Sequence, residues 1–126
     1  MNSLFLMIML VLLQYSLDPT KHECNTLYSR SILLFHHMIS IYILFGGILF
    51  HPLYHALFCI GILIHWYSNN NRCEITIITN RECGIDIATQ FKDYLQTLGI
   101  SKLYPNIHWF LLPLLILVDI YKLRQL

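Results

Sequence analysis

The sequence predicts an all-α fold, a polytopic transmembrane helical bundle of three or four spans with one amphipathic interfacial helix. Of the 126 residues, 56% are hydrophobic and only 12% are charged, whereas an ordinary soluble domain has roughly 25% charged residues. A small soluble domain keeps much of its surface exposed and cannot bury this much apolar surface. The apolar residues are also gathered into long stretches. We therefore predict a single membrane domain over residues 1–126, with the lipid bilayer as its first partner.

Four apolar stretches predict the spans. They cover residues 4–17, 31–50, 52–67 and 103–123. A spanning helix needs about 20 residues, with about 17 as the lower limit. The second and fourth stretches meet this length, the third is marginal and the first is short. The first stretch also resembles a signal-peptide core, but it has no basic start, so we interpret it as a short span.

Glycine and proline predict how these helices are joined and shaped. Gly46 and Gly47 weaken the end of the second helix, and Pro52 suits the first turn of the third. The two stretches therefore form a helical hairpin. Pro113 lies inside the fourth stretch and should kink it, because it removes one backbone hydrogen bond.

Residues 68–99 form a polar loop followed by an amphipathic helix. Between Asp86 and Leu98, apolar residues recur at helical spacing, at Ile87, Phe91, Tyr94, Leu95 and Leu98. This pattern predicts a helix that lies on the membrane or on a partner. Residues 75–79 are β-prone, although one strand cannot stand alone.

Loop charges and aromatic residues predict the orientation. Most Lys and Arg residues lie in the loops at 18–30 and 68–104. The positive-inside tendency therefore places both loops on the cytosolic side. Aromatic residues fall near the same interface, at Tyr15, Tyr28, Trp66, Tyr67, Tyr104 and Trp109. The net charge of +1 gives no dense basic patch, so nucleic acid is not a predicted partner.

Histidines in the apolar stretches are the first candidate site, because ionisable groups inside a membrane are functional candidates. His36 and His37 lie on the second span, level with His65 across the hairpin. These side chains can simply pack against each other, or they can hold a b-type haem between two imidazoles. Neighbouring helices pack at about 8–10 Å, so a haem would need a ligand from another subunit or from the fourth helix. A third alternative is a small channel lined by the histidines, which would require oligomers.

Cysteines give a second candidate site. Cys24, Cys73, Cys83 and His22 lie on the same predicted side, and Cys and His are the usual zinc ligands. Their spacing matches no tight zinc knuckle. A disulfide between Cys73 and Cys83 is the other alternative, but a cytosolic loop favours free thiols.

Motifs for catalysis are missing from the sequence. It has no Gly-rich phosphate loop and no nucleophile elbow. Asp119 is the only acid in an apolar stretch, and we expect it to form an interfacial ion pair with Lys122. The sequence therefore predicts a protein that is not an enzyme.

One motif carries a family resemblance. It consists of His65, Trp66, Asn69, Asn70, Asn71, Cys73 and Thr76. This pattern, His-Trp-x-x-Asn followed by Cys-x-x-Thr, resembles that of uncharacterised small multi-pass membrane proteins of large DNA viruses. The resemblance covers about residues 30 to 100 and implies a helical hairpin that leads into the motif, in a viral membrane. The family favours Leu before the Thr and an acidic residue shortly after it. This chain departs from that pattern, because it has Ile75 before Thr76 and no acidic residue after Thr76 until Glu82.

Together these observations predict a structural or accessory component of a membrane complex, in a virion internal membrane or an organellar membrane. Its expected partners are other membrane or capsid-type protein subunits. The alternative from another class is a haem- or metal-binding redox protein that uses His36, His65, Cys73 and Cys83.

Overall fold

A computed structural model describes residues 2–85 and 107–126, and all regular structure within these residues is helical. The helices are α1 (Ser3–Leu17), a 3-10 turn (Pro19–His22), α2 (Leu27–Leu49), α3 (Pro52–Ser68), α4 (Glu74–Cys83) and α5 (Ile107–Gln125). The predicted all-α class is therefore confirmed for the described part of the chain. The amphipathic helix expected between residues 86 and 98 lies outside the described residues.

Helix α2 is the centre of the arrangement. α1 and α4 pack on it, and α3 packs on both α2 and α5. The turn between α2 and α3 is tight, as predicted, because Pro52 opens α3 and the His51 side chain accepts a hydrogen bond from Leu53 N. α5 continues through Pro113.

The β-prone residues 75–79 are helical and belong to α4. Thr79 turns its hydroxyl back to Ile75 O at 2.7 Å and is fully buried. Gly84 then ends the helix in the left-handed conformation, with φ of 63°. Packing on α2 therefore decides the structure of this segment, since β-propensity depends on context.

Only α2, among the described helices, has the length and composition to cross a membrane. It has 23 residues, and its most apolar 18-residue window has a mean hydropathy of 2.0. α1 is apolar but has 15 residues. The last two turns of α5 contain Asp119, Lys122 and Arg124. The structure therefore gives one candidate span, where the sequence predicts three or four.

The distribution of side chains differs from that in a typical soluble domain, where charged residues are rarely fully buried. The described residues bury polar groups at Gln14, Asp18, Ser29, His36, His37, Ser40, His55, Thr79 and Asp119. Large apolar side chains are exposed on every described α-helix, including Phe5, Leu12, Phe35, Ile48, Leu57, Ile77, Leu114 and Leu117. The described interior thus mixes these polar groups with apolar side chains such as Leu33, Ile41 and Leu112, while much of the outside of the helices is apolar.

Candidate functional site

Two buried histidine–aspartate pairs fasten other elements to the α2–α3 hairpin. Asp18 and His37 form the α1-side pair, and His55 and Asp119 form the α5-side pair. All four side chains are almost completely inaccessible. A buried charge without a partner costs much free energy. Among the polar contacts in the described structure, these pairs would therefore be the most costly to break.

The α1-side pair lies where the chain leaves α1. Asp18 Oδ1 accepts hydrogen bonds from Thr20 N at 2.9 Å and Thr20 Oγ1 at 2.7 Å, and so caps the 3-10 turn. Asp18 Oδ2 accepts from His37 Nε2 at 2.8 Å. The Tyr15 ring meets His37 edge-on, with ring centroids 6.1 Å apart. His37 lies ten positions into α2, so residues 18–26 run back along the first turns of that helix.

The Asp18 carboxyl is held in its ionised form. Burial raises its pKa, but the hydrogen bonds from His37 and Thr20 outweigh burial and lower the pKa below its ordinary value of 3.8. The carboxylate therefore accepts three hydrogen bonds at neutral pH, and the fold gains stability from its charge.

The α5-side pair joins α3 to α5. His55 Nδ1 lies 2.6 Å from Asp119 Oδ2, and His55 Nε2 donates to Ile43 O at 3.0 Å. A Cβ on Gly46 would lie 2.5 Å from His55 Cδ2, and a Cβ on Gly47 would collide with Asp119 Oδ1. Both glycines are therefore required, because they let the pair approach the backbone of α2.

Lys122 does not pair with Asp119, which corrects the expected interfacial ion pair. Its Nζ donates to Gly47 O at 2.8 Å. Among the described residues, the ion-pair partner of Asp119 is His55. The lysine reaches the last turn of α2, whereas the carboxylate turns inward to the histidine.

The motif residues build the turn from α3 into α4. His65 Nε2 accepts a hydrogen bond from Glu74 N at 3.1 Å, and Asn69 Nδ2 donates to Arg72 O at 3.1 Å. Asn70 and Asn71 adopt φ of 52° and 62°, a conformation that Asn tolerates better than most residues. The asparagine run ends α3, as predicted.

The rest of the motif docks α4 on α2 or packs on α5. Thr76 Oγ1 lies 2.9 Å from His36 Nε2. Trp66 packs against His108 and Trp109 at the start of α5, with ring centroids 6.2 and 5.8 Å apart. In this fold the motif residues therefore end α3 and hold α4 and α5 against their neighbouring helices.

Cys24 and Cys83 form a disulfide, with their Cα atoms 4.3 Å apart. It is buried against Leu33 and ties the segment after α1 to the end of α4. A Cys73–Cys83 bond was the alternative left open by the sequence, but Cys73 is a half-buried free thiol. Cys24 and Cys83 are thus unavailable as thiolate ligands. No group of three metal-binding side chains occurs within residues 2–85 and 107–126, so the predicted zinc set with Cys73 and His22 is not assembled there.

The histidines proposed for haem all have other partners. His36 Nε2 faces Thr76, His37 Nε2 donates to Asp18, and His65 Nε2 accepts from Glu74 N. An axial ligand needs a free nitrogen lone pair directed at the iron. The geometry therefore does not favour haem at His36, His37 and His65.

The histidine-lined channel requires oligomers, so it stays a prediction that the single chain does not test. An apolar groove of about 350 Å³ between α1 and α2, and an open cleft of about 500 Å³ beside Trp109, contain no histidine in their walls. His36, His37 and His55 are buried inside the single chain.

Cys59, His55 and Asp119 lie next to one another in space, in the arrangement of a thiol nucleophile, a histidine base and a carboxylate that orients the histidine. Cys59 Sγ lies 3.5 Å from His55 Nε2. That nitrogen already faces Ile43 O, which can only accept a hydrogen bond, so it carries a proton and cannot take one from the thiol. The arrangement therefore does not act as a nucleophile–base pair.

Comparisons with protein-family models, curated proteins and solved structures find no match for this chain. Neither aspartate was predicted as a partner of histidine. Asp119 carried a usable signal, because a lone acid in an apolar stretch requires a proton or a cationic partner. Asp18 precedes Pro19, a pattern typical of a cap.

Proposed function

We propose that this chain is a multi-pass integral membrane protein that acts as a structural or accessory component of a membrane complex. The observation that carries the proposal is the combination of many large apolar side chains on the outside of the helices with titratable groups buried between them. Lipid is the solvent that stabilises such a surface, and buried polar groups then face the bundle interior.

Internal pairing explains how α5 can be a span despite its charges. Asp119 is held by His55, and Lys122 reaches the backbone at the end of α2. The remaining Arg124 lies in the last turn, where a long side chain can extend to the interface. α3 has 17 residues, which is at the lower limit for a span.

The disulfide bears on the orientation. Cytosolic thiols stay reduced, whereas disulfides persist in the secretory pathway, the periplasm and on virion surfaces. The Cys24–Cys83 bond therefore favours a non-cytosolic position for residues 18–26 and 69–85. This reverses the orientation that the loop charges predict. We give the disulfide more weight, because the charge rule describes a tendency of loops and a disulfide requires oxidising conditions.

Extraction tests the first part of the proposal. The chain should stay with membranes through an alkaline carbonate wash and enter solution only with detergent. Recovery in the carbonate supernatant would contradict membrane integration. Native mass spectrometry of the detergent extract tests the accessory role, for which we expect additional subunits; a monomer throughout would contradict it.

Glycosylation mapping tests the orientation. The substitution Arg72→Thr creates an Asn70-Asn71-Thr acceptor at exposed positions, which is glycosylated only in the lumen. In microsomes we expect a glycan that is absent from the matched variant Asn70→Gln with Arg72→Thr. An unmodified Arg72→Thr chain that shows a reduced Cys24 would restore the cytosolic orientation.

A further inference from the structure

The geometry of the α5-side pair fixes its number of protons. His55 Nε2 faces a carbonyl oxygen at 3.0 Å, so this nitrogen carries a proton. His55 Nδ1 lies 2.6 Å from Asp119 Oδ2, and a contact this short requires a second proton between the two atoms. The pair is either imidazolium with carboxylate or imidazole with carboxylic acid. Both forms are neutral overall.

Loss of the shared proton would leave a buried negative charge. The Nδ1 lone pair would then face a carboxylate, and both side chains are at most 2% exposed. Such an uncompensated charge is strongly unfavourable. Among the residues that the structure describes, the other titratable groups near the pair are Tyr42 from α2, Cys59 from α3 and Lys122 from α5. None of these three forms an ion pair or a hydrogen bond with Asp119, and Lys122 donates to Gly47 O.

We propose that His55 and Asp119 form a proton-binding site that controls the docking of α5 on the α2–α3 hairpin. With the proton bound, α5 is docked. As the pH rises, the proton leaves for water, Asp119 becomes a carboxylate beside a neutral imidazole, and α5 separates from the hairpin. This goes beyond the proposed structural role, since it makes one contact of the bundle responsive to pH.

A native thiol reports on this separation. Cys59 is fully buried and lies beside His55 Nε2. In a Cys73→Ser background it is the only free thiol, because Cys24 and Cys83 are bonded to each other. The full chain in detergent micelles is treated with N-ethylmaleimide across the neutral and alkaline range, and the rate of Cys59 alkylation is measured by mass spectrometry.

Asp119→Asn is the matched variant. Its side-chain amide can donate to His55 Nδ1 of a neutral ring while Nε2 still donates to Ile43 O. The variant therefore reproduces the hydrogen bonds of the protonated pair, but it has no proton that can dissociate. Dividing the alkylation rate of the chain with native Asp119 by that of the Asp119→Asn variant cancels the pH dependence that the two thiols share; the charge of Asp119, which acts on Cys59 in one chain only, adds an offset that slows alkylation there and so works against the expected rise. Because one proton is linked to release, this ratio should rise by up to about tenfold for each pH unit. A ratio that stays flat would overturn the proposal.

A second measurement applies if Asp119→Asn fails to fold, as judged by the absence of the Cys24–Cys83 bond. In the chain with native Asp119, ¹⁵N-histidine NMR follows the His55 ring, whose signals are identified by their loss in His55→Gln. The shared proton should leave over the same pH range in which Cys59 becomes reactive. Loss of that proton with no change in alkylation would contradict the proposal.

Discussion

The two histidine–aspartate pairs use the same side chains and differ in what surrounds them. On the α1 side, Thr20 gives Asp18 two further hydrogen bonds, so the carboxylate stays ionised. On the α5 side, the second ring nitrogen of His55 faces a carbonyl, which forces an additional proton onto the pair. The neighbours of a pair, more than its members, therefore decide its charge state.

The two regions also differ in how they are secured. The α1 side is covalently closed by the Cys24–Cys83 disulfide. α5 contains no cysteine, so it depends on packing, on the Lys122–Gly47 hydrogen bond and on the His55–Asp119 contact. This contrast predicts that the elements around the first half of α2 stay together, whereas α5 can separate from the second half of α2.

Breaking the α5-side pair should have the largest effect. Asp119→Ala leaves His55 Nδ1 buried without its partner, and losing one member of a buried pair costs about 3–5 kcal/mol. Urea unfolding in detergent, followed by circular dichroism, measures the change. The control Asp119→Asn should cost far less. Equal losses in both variants would show that the hydrogen bond to His55 is not what holds α5.

Removing the disulfide should weaken the α1 side. Replacing both Cys24 and Cys83 by Ala should cost about 2–5 kcal/mol, read from the same unfolding curves. Cys73→Ser is the control and should be near neutral, since that thiol is free. Alkylation of Cys59 should not change in the disulfide variant; a large increase would mean that the two regions do not behave separately.

Adding a methyl group at Gly47, where the backbone of α2 lies against Asp119, should destabilise the α5 side by a smaller amount. Gly47→Ala places a Cβ against Asp119, and overpacking of this kind costs about 1–3 kcal/mol. Gly61 offers the matched control, because a Cβ there meets no atom within 4 Å. Gly61→Ala should be neutral or stabilising by about 0.5–1 kcal/mol. The same loss at both positions would exclude a local collision as the cause.

The smallest expected effect concerns the motif. His65→Ala removes the acceptor for Glu74 N, and loss of a cap costs about 1 kcal/mol. His65→Asn keeps an acceptor and should restore part of this stability. Hydrogen exchange of the Glu74 amide should rise in the alanine variant. Unchanged protection would show that His65 does not cap α4.

Local chemistry made part of this fold predictable from the sequence. Gly46, Gly47 and Pro52 indicated the hairpin, and the asparagine run indicated the end of α3. These features act over a few residues. The same glycines have a second role that no local pattern reveals, because the side chains that need their space come from α3 and α5.

Long-range contacts were not predictable in this way. Cys24 and Cys83 are 59 positions apart, and the charge rule argued for reduced thiols. His36 was matched with His65 by depth, and both do reach the first turn of α4, but each bonds to α4 instead of to the other. The helical state of residues 75–79 likewise depends on packing against α2.

Hydrogen exchange of the intact chain at several pH values tests the central contrast most directly. The lowered pKa of Asp18 means that its stabilising charge is present above 3.8 and is lost as the pH falls through the lowered value. The α5-side pair instead loses its proton as the pH rises. After correction for intrinsic exchange rates, α1 should therefore lose protection first in acid, and α5 first in alkali. Loss of protection in both helices at the same end of the pH range would contradict the account.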